Sequence, residues 1–162
     1  MNTDELNRLT TETGNSNAID IGFLKVELKV DCDGNSSEVL RKTKEVLVRV
    51  IDCELSLDDP IEDWKEVLPA WFVNSCAPEL SSDKIDQILA KVDGFEVLSK
   101  LWTVGGFLYW FRPEERSWFW WGAVVKNQNA FIIELIVEGF PFAWGALDFL
   151  LHTSGAAHIS EQ

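Results

Sequence analysis

The sequence has little of what most enzymes use for catalysis. Its 162 residues include two histidines, His152 and His158, which are six positions apart and so do not share one face of a helix. No serine stands in a nucleophile-elbow pattern, and no glycine-rich loop followed by lysine and serine or threonine offers a cradle for phosphate. Gly105-Gly106 is too short for a dinucleotide-binding fingerprint. We therefore expect no catalytic residues, no cofactor and no enzyme activity.

Cysteines and grouped metal ligands are also scarce. The three cysteines, Cys32, Cys53 and Cys76, are far apart and odd in number, which argues against a disulfide framework and against a paired-cysteine zinc site. Asp31 and Asp33 resemble the start of a calcium loop, but the glutamate that closes an EF-hand loop is missing. We expect no metal site, and we expect reduced thiols in a cytoplasm.

Two kinds of targeting segment are missing as well. Residues 1–5 read MNTDE, which is polar and acidic where a signal peptide is first basic and then apolar. The most apolar region, residues 118–144, is interrupted by polar and charged side chains, so it lacks the run of about 18 apolar residues that a membrane span needs. These features predict a cytoplasmic protein that does not bind or cross a membrane.

Basic residues are few relative to acidic ones. The chain has 14 Lys and Arg against 27 Asp and Glu, a formal net charge of −13 at pH 7. Nucleic acids and anionic membranes bind through clustered Lys and Arg, so neither is an expected partner. A basic protein is the partner that complements this charge.

Apolar residues, in contrast, are abundant. They make up 46% of the chain and include eight tryptophans. Each tryptophan can bury on the order of 200 Å², worth about 5 kcal/mol gross at roughly 25 cal/mol per Å². We expect a single globular domain over residues 19–157, with a flexible leader over residues 1–18 and a short tail over residues 158–162.

Hydrophobic periodicity predicts helices in the middle of the chain. An alternating pattern over residues 21–31 predicts a strand, and Asn35 with Glu38 has the spacing of a capping box before a helix that runs to residue 51. A second helix is predicted from Asp59-Pro60, and Pro69 should split it. A third is predicted over residues 82–92, and its inward face would be formed by Ile85, Ile88, Leu89 and Val92.

The last third of the chain has a different pattern. Aromatic and β-branched runs at residues 107–112, 117–126 and 130–138 predict three strands in a meander, and residues 143–153 predict a helix that ends at Gly155. The fold class is therefore α+β. We expect one antiparallel sheet, built from the N-terminal strand and the C-terminal meander and packed with three to four helices.

The densest cluster of charge is the acidic segment, which we define as residues 52–66. These fifteen residues contain seven acids and one basic residue, Lys65. Some of the acids suit a helix start, because carboxylates favour the positive end of the helix dipole. The remainder would attract a basic protein and pair with its Lys and Arg side chains. The candidate partner-binding residues are Asp52, Glu54, Asp58, Asp59, Glu62, Asp63 and Glu66.

Aromatic residues give a second candidate surface. Alternation along the strand at residues 117–126 places Trp118 and Trp120 on one face of the sheet, and Phe119 and Trp121 on the other. Helices on one side of a sheet do not hide both faces, so some aromatic surface should be exposed or covered by a second copy of the chain. Trp118 and Trp120 are possible partner contacts, and a homodimer is possible.

Glu134 is an acid inside an apolar strand. Alternation groups it with Ile132 and Ile136, where a carboxylate needs a raised pKa or a basic partner such as Arg112 or Arg116. Structural pairing is the favoured interpretation, and catalysis by buried carboxylates is the alternative.

Residues 118–156 have a recognisable arrangement: an aromatic strand, a polar turn, a hydrophobic strand, a Glu-Gly-Phe-Pro link and an amphipathic helix that ends LLHTSGA. This arrangement resembles small acidic immunity proteins of bacterial polymorphic-toxin and contact-dependent inhibition systems. The resemblance implies a bacterial cytoplasmic protein that binds and neutralises a cognate basic toxin, often a nuclease. A homo-oligomeric adaptor or regulatory protein that uses an aromatic sheet face is the alternative, and a carboxylate-dependent enzyme is a third.

Overall fold

A computed structural model describes residues 2–11 and 23–162. Its described residues form eight helices and four strands. In chain order these are α1 (Asn2–Thr10), β1 (Leu24–Asp31), α2 (Ser36–Ile51), α3 (Ile61–Val67), α4 (Ala70–Ser75), α5 (Ser82–Leu89), α6 (Gly94–Ser99), α7 (Val104–Tyr109), β2 (Trp118–Asn127), β3 (Ala130–Val137), α8 (Gly145–Ser154) and β4 (His158–Glu161).

The four strands form one antiparallel sheet in the order β2-β3-β1-β4. The centre of the sheet is the pairing of β1 with β3, in which Val26 lies opposite Leu135 and Leu28 opposite Ile133. β2 pairs with β3 through a register shift at Trp121, where one extra residue is accommodated. The predicted α+β class with a single antiparallel sheet is confirmed, and the helices outnumber the three to four expected.

The hydrophobic core lies between one face of the sheet and the helices α2 and α8. Alternate residues of β3, among them Phe131, Ile133 and Leu135, are fully buried, and α2 contacts both β2 and β3. α8 packs against α2 and ends at Gly155, whose φ of 118° is a left-handed conformation that glycine adopts without strain. Pro69 separates α3 from α4, as the sequence predicts.

Both ends of the domain differ from the prediction. The flexible leader expected over residues 1–18 is wrong for residues 2–10, which form α1 and bury Glu5 and Leu9; residues 12–18 lie outside the described part. The predicted tail over residues 158–162 is wrong as well, because residues 158–161 form β4 and pair with β1. The domain therefore extends beyond the expected boundaries of residues 19–157.

The strand predicted at residues 107–112 is also wrong, because residues 104–109 form α7. Thr103 caps this helix by accepting a hydrogen bond from the Gly106 amide at 2.9 Å. The buried residues Val104, Phe107 and Leu108 follow helical spacing, and Phe111 continues the same face. Aromatic content suggested a strand here, but the three- and four-residue spacing decides the structure.

The third predicted helix forms, but its apolar face does not join the core. α5 has no buried residue, and Leu89 and Val92, which were expected to face inward, are exposed. α6 follows with Phe95 80% exposed. An isolated β-bridge between Ala77 and Thr103 joins the chain before α5 to the chain after α6. The α5–α6 pair therefore presents apolar side chains to solvent, away from the sheet.

Candidate functional site

The acidic segment links the end of α2 to α3 and lies on the surface. Asp52 is the C-terminal cap of α2, Glu54 and Asp58 lie in the following loop, and Asp63 and Glu66 belong to α3. All five of these side chains are exposed. The structure thus places the predicted acids along one continuous surface stretch.

Three of the seven acids have partners inside the protein. Asp58 accepts a hydrogen bond from Arg112 at 2.6 Å, and this bond is the main cause that raises the pKa of Arg112 above its usual value. Asp59 accepts a hydrogen bond from the Ser56 amide at 2.8 Å, and Glu62 pairs with Lys65 at 3.0 Å.

Four acids remain available for a partner. They are exposed, and within residues 2–11 and 23–162 they make no side-chain hydrogen bond or ion pair: Asp52, Glu54, Asp63 and Glu66. An exposed carboxylate of this kind can pair with a cation of a partner without first breaking an internal bond. These four side chains define the part of the predicted site that is free to pair with another protein.

The loop in the acidic segment is attached to the core by Trp64. This side chain is fully buried, and its Nε1 donates a hydrogen bond to the Ser56 carbonyl at 3.0 Å. Ser56 and Asp59 close the same turn. The charged surface is therefore built on a fixed loop, which lowers the entropy that a partner must remove on binding.

Exposure alternates through the loop at residues 52–58. Asp52, Glu54 and Asp58 are exposed, whereas Cys53, Leu55 and Leu57 are partly buried. These inward residues line a cavity of about 390 Å³, which the end of α2 and the segment around Phe111 and Phe119 also line. This volume is at the small end of the roughly 300–1,000 Å³ of ligand sites. No local pattern in the sequence predicts this cavity, because its walls come from two stretches that are far apart in the chain, residues 50–57 and 111–119.

Arg116 is part of the wall of this cavity and makes a buried ion pair with Glu5. The two side chains are 7% and 2% exposed, and Arg116 Nη1 donates to Glu5 Oε2 at 2.9 Å. Glu5 also accepts a hydrogen bond from the Trp120 amide at 2.7 Å, so α1 covers part of the outer edge of β2. Arg116 Nε is buried and has no acceptor among the described residues.

Neither predicted aromatic contact is available to a partner. Trp118 and Trp120 are each 1% exposed and belong to the core, so their assignment as partner contacts is wrong. The neighbouring Trp121 is covered by Arg8 of α1, whose guanidinium carbon lies 3.5 Å from the ring centroid. The helix that replaces the expected leader supplies this cover, which removes the main reason for a dimer through the aromatic sheet face.

Glu134 is paired, but with a different residue from those predicted. Its carboxylate contacts Lys25 Nζ, which extends from the neighbouring strand β1. Arg112 and Arg116, the expected partners, pair instead with Asp58 and Glu5. Because the Glu134 side chain is only partly buried, an ordinary cross-strand ion pair accounts for an acid at this position.

The three cysteines are free thiols, and the two histidines lie on α8 and β4. Burial raises the pKa of the Cys76 thiol to about 11, so this thiol is protonated at neutral pH. His152 is half exposed on α8, where Nδ1 lies 3.0 Å from the Asp148 carbonyl, and His158 is exposed on β4.

The known families, the curated proteins and the solved structures are three sets in which a relative of this chain could be found. None of them matches it. In the part of the chain that the structure describes, no helix has the length and apolar character to span a membrane. The same residues contain no group of three or more His, Cys, Asp or Glu side chains placed to hold a metal ion.

Proposed function

We propose that this chain is a non-catalytic binding protein of the immunity type, which acts in the cytoplasm and neutralises a basic toxin domain by docking it on the acidic segment. The observation that supports this proposal most directly is the set of four exposed acids without internal partners. Binding of this kind uses no metal and no cofactor, and covering the toxin surface is sufficient for inhibition.

Electrostatics favours such a partner over a neutral one. Opposite charges accelerate association from about 10⁵–10⁶ M⁻¹s⁻¹ for neutral pairs toward 10⁸–10⁹ M⁻¹s⁻¹ at low salt. The net charge of −13 adds a long-range attraction, and the acidic segment gives this attraction a location. A toxin that damages its own producer must be captured quickly, so a high association rate suits the proposed role.

Reversing the four available acids to lysine should abolish protection. The variant Asp52→Lys, Glu54→Lys, Asp63→Lys and Glu66→Lys should lower the association rate by at least about 100-fold at low salt, because attraction becomes repulsion. The measurement is survival during co-expression with a candidate basic toxin domain, together with stopped-flow association kinetics. Asp58 and Asp59 stay unchanged, since reversing them would also break internal contacts.

A control variant with the same change in net charge tests whether the position of the reversed acids matters. It reverses four exposed acids of the α5–α6 pair: Asp83, Asp86, Asp93 and Glu96. Survival with this control and death with the first variant would support the proposal. Full protection by both variants would contradict the acidic segment as the docking surface.

A homo-oligomeric adaptor is the second candidate, and the exposed side chains of α5 and α6 favour it. Leu89, Val92 and Phe95 place apolar surface outside the core, which is a common feature of protein interfaces. Sedimentation velocity tests this candidate. A concentration-dependent dimer that Phe95→Ser disrupts would support it, and a clean monomer at high concentration would contradict it.

A further inference from the structure

The cavity beside the acidic segment has a mainly apolar wall. Its volume is about 390 Å³. Among the described residues that line it, none is acidic and one, Arg116, is basic; the others are aliphatic or aromatic, apart from Cys53. Leu55, Leu57 and Phe119 are only partly buried, so the cavity opens to solvent. Its lining therefore differs in character from the charged surface of the acidic segment.

The one charge in the wall is already neutralised inside the protein. The carboxylate of Glu5 accepts hydrogen bonds from both Nη groups of Arg116, and the Nε of Arg116 is buried. The guanidinium carbon also lies 5.3 Å from the ring centroid of Phe111 and 4.9 Å from that of Phe119. An occupant therefore gains no ion pair from Arg116, and a charged occupant would give up hydration without a counter-ion.

Polar groups of the loop are likewise used inside the protein. The Leu55 amide donates a hydrogen bond to Cys53 Sγ at 3.4 Å, and the Ser56 carbonyl accepts one from Trp64 Nε1 at 3.0 Å. The apolar side chains of the wall offer water no hydrogen bonds. A molecule that displaces water from such side chains gains affinity, provided that it is apolar itself.

The volume of the cavity sets the size of the occupant. A dry cavity of about 150 Å³ lined by Leu, Ile and Phe binds one benzene molecule. The present cavity has more than twice that volume, which suits a molecule of about two aromatic rings. Phe111 is packed against Phe107 and Trp118, whose ring centroids lie 5.0 and 5.9 Å away, so this part of the wall is held in place.

We infer that this cavity binds a neutral, largely hydrocarbon molecule of about two aromatic rings. The occupant lies between Leu55 and Leu57 on the loop and Phe111 and Phe119 on the other segment. None of the four available acids of the acidic segment lines the cavity. The inference therefore adds a small-molecule site to the proposed function and does not depend on it.

The first test uses N-phenyl-1-naphthylamine, a neutral aromatic probe whose fluorescence rises in apolar surroundings. The unaltered full chain is titrated with this probe, and methyl NMR follows Leu55 and Leu57. We expect one saturable site per chain with a dissociation constant on the order of 10 µM. Both leucine methyl signals should shift, because an aromatic ring enters beside them. Absence of a saturable site, or saturation with static leucine methyl signals, would overturn the inference.

Three naphthalene derivatives test whether the site prefers a neutral molecule. At neutral pH 1-naphthalenemethanol is uncharged, 1-naphthylmethylamine is a cation and 1-naphthoate is an anion. Each competes with the probe at high salt, which screens the net charge of the chain. We expect the alcohol to displace the probe at a concentration at least about tenfold lower than either ion, because the ions find no counter-charge in the cavity. Stronger displacement by the cation or by the anion would contradict a neutral occupant.

Variants connect the bound probe to the cavity. Leu57→Trp fills the space and should weaken probe binding at least about tenfold, whereas Leu101→Trp, outside the cavity, should leave it unchanged. Phe95→Ser removes an exposed ring of the α5–α6 pair and should also leave it unchanged. Loss of binding in Phe95→Ser, or full binding in Leu57→Trp, would place the probe elsewhere and overturn the inference. If Leu57→Trp does not fold, the methyl shifts of the unaltered protein decide the question alone.

Discussion

Replacing Glu5 with alanine is expected to lower the free energy of unfolding by about 3–5 kcal/mol. Glu5 is buried, and its carboxylate accepts hydrogen bonds from both Nη groups of Arg116 and from the Trp120 amide. Without it, the guanidinium stays buried among Phe111, Trp118 and Phe119 with no counter-charge. Most of the lost unfolding free energy comes from the uncompensated charge of Arg116. The loss of α1 from the edge of β2 lowers the stability further. Urea denaturation followed by circular dichroism measures it.

A surface pair of the same chemistry provides the control. Arg41 donates to both carboxylate oxygens of Glu38 at 2.8 Å, but the two side chains are more than half exposed. Glu38→Ala should therefore lower the unfolding free energy far less than Glu5→Ala does, because water replaces the lost partner. Similar losses from Glu5→Ala and Glu38→Ala would contradict the buried pairing of α1 with Arg116.

A double variant distinguishes a lost attraction from an unpaired charge. Glu5→Leu combined with Arg116→Met removes both charges and keeps apolar volume between α1 and the aromatic rings. We expect this variant to regain the part of the stability that the unpaired charge costs, while the Trp120 amide still lacks its acceptor. An equally large loss in the double variant would assign the effect to packing of α1 instead.

The helices, strands and chain breaks that depend on residues close together in the sequence are the ones that the sequence predicts correctly. The alternation in β1, the spacing in α2, the break at Pro69 and the stop at Gly155 each depend on residues within a few positions, and each was found as predicted. The strand prediction for residues 107–112 is wrong although the sequence contains the helical spacing of α7, because the aromatic content of these residues favours a strand. Leu89 and Val92 show a second way in which a local pattern fails. The spacing predicts that they face inward, but both side chains are exposed.

The candidate site divides in the same way. The acidic segment could be located from composition alone, and the structure leaves four of its seven acids without internal partners. The pairing of Arg116 with Glu5 joins residues 111 positions apart, and no local pattern reports such a contact. The cavity likewise depends on how α2, the loop and the residue 111–119 segment converge. The charge was therefore readable from the sequence, whereas the buried ion pair and the cavity required the fold.

Replacing Trp64 with alanine is expected to cost about 3–5 kcal/mol of unfolding free energy, because a fully buried indole leaves a large cavity. Trp64→Phe should cost less, since most of the apolar contact remains and the main loss is one hydrogen bond to the Ser56 carbonyl, worth about 1 kcal/mol. Phe95→Ser, at an exposed position, should stay within about 0.5 kcal/mol of the unaltered protein. Thermal and urea denaturation give these values.

Trp64→Phe also tests whether the shape of the loop matters for binding. The variant keeps every acid of the acidic segment, so its long-range attraction for a cationic peptide is unchanged. Because the Ser56 carbonyl is released from the core, Leu55 and Leu57 lose their fixed positions at the cavity. We expect the dissociation rate of the basic partner to rise while its association rate at low salt stays the same, because the charges are kept and the shape of the loop is not; stopped-flow kinetics measures both rates. An unchanged dissociation rate would mean that the loop holds its shape without Trp64, and that the hydrogen bond to Ser56 serves stability alone.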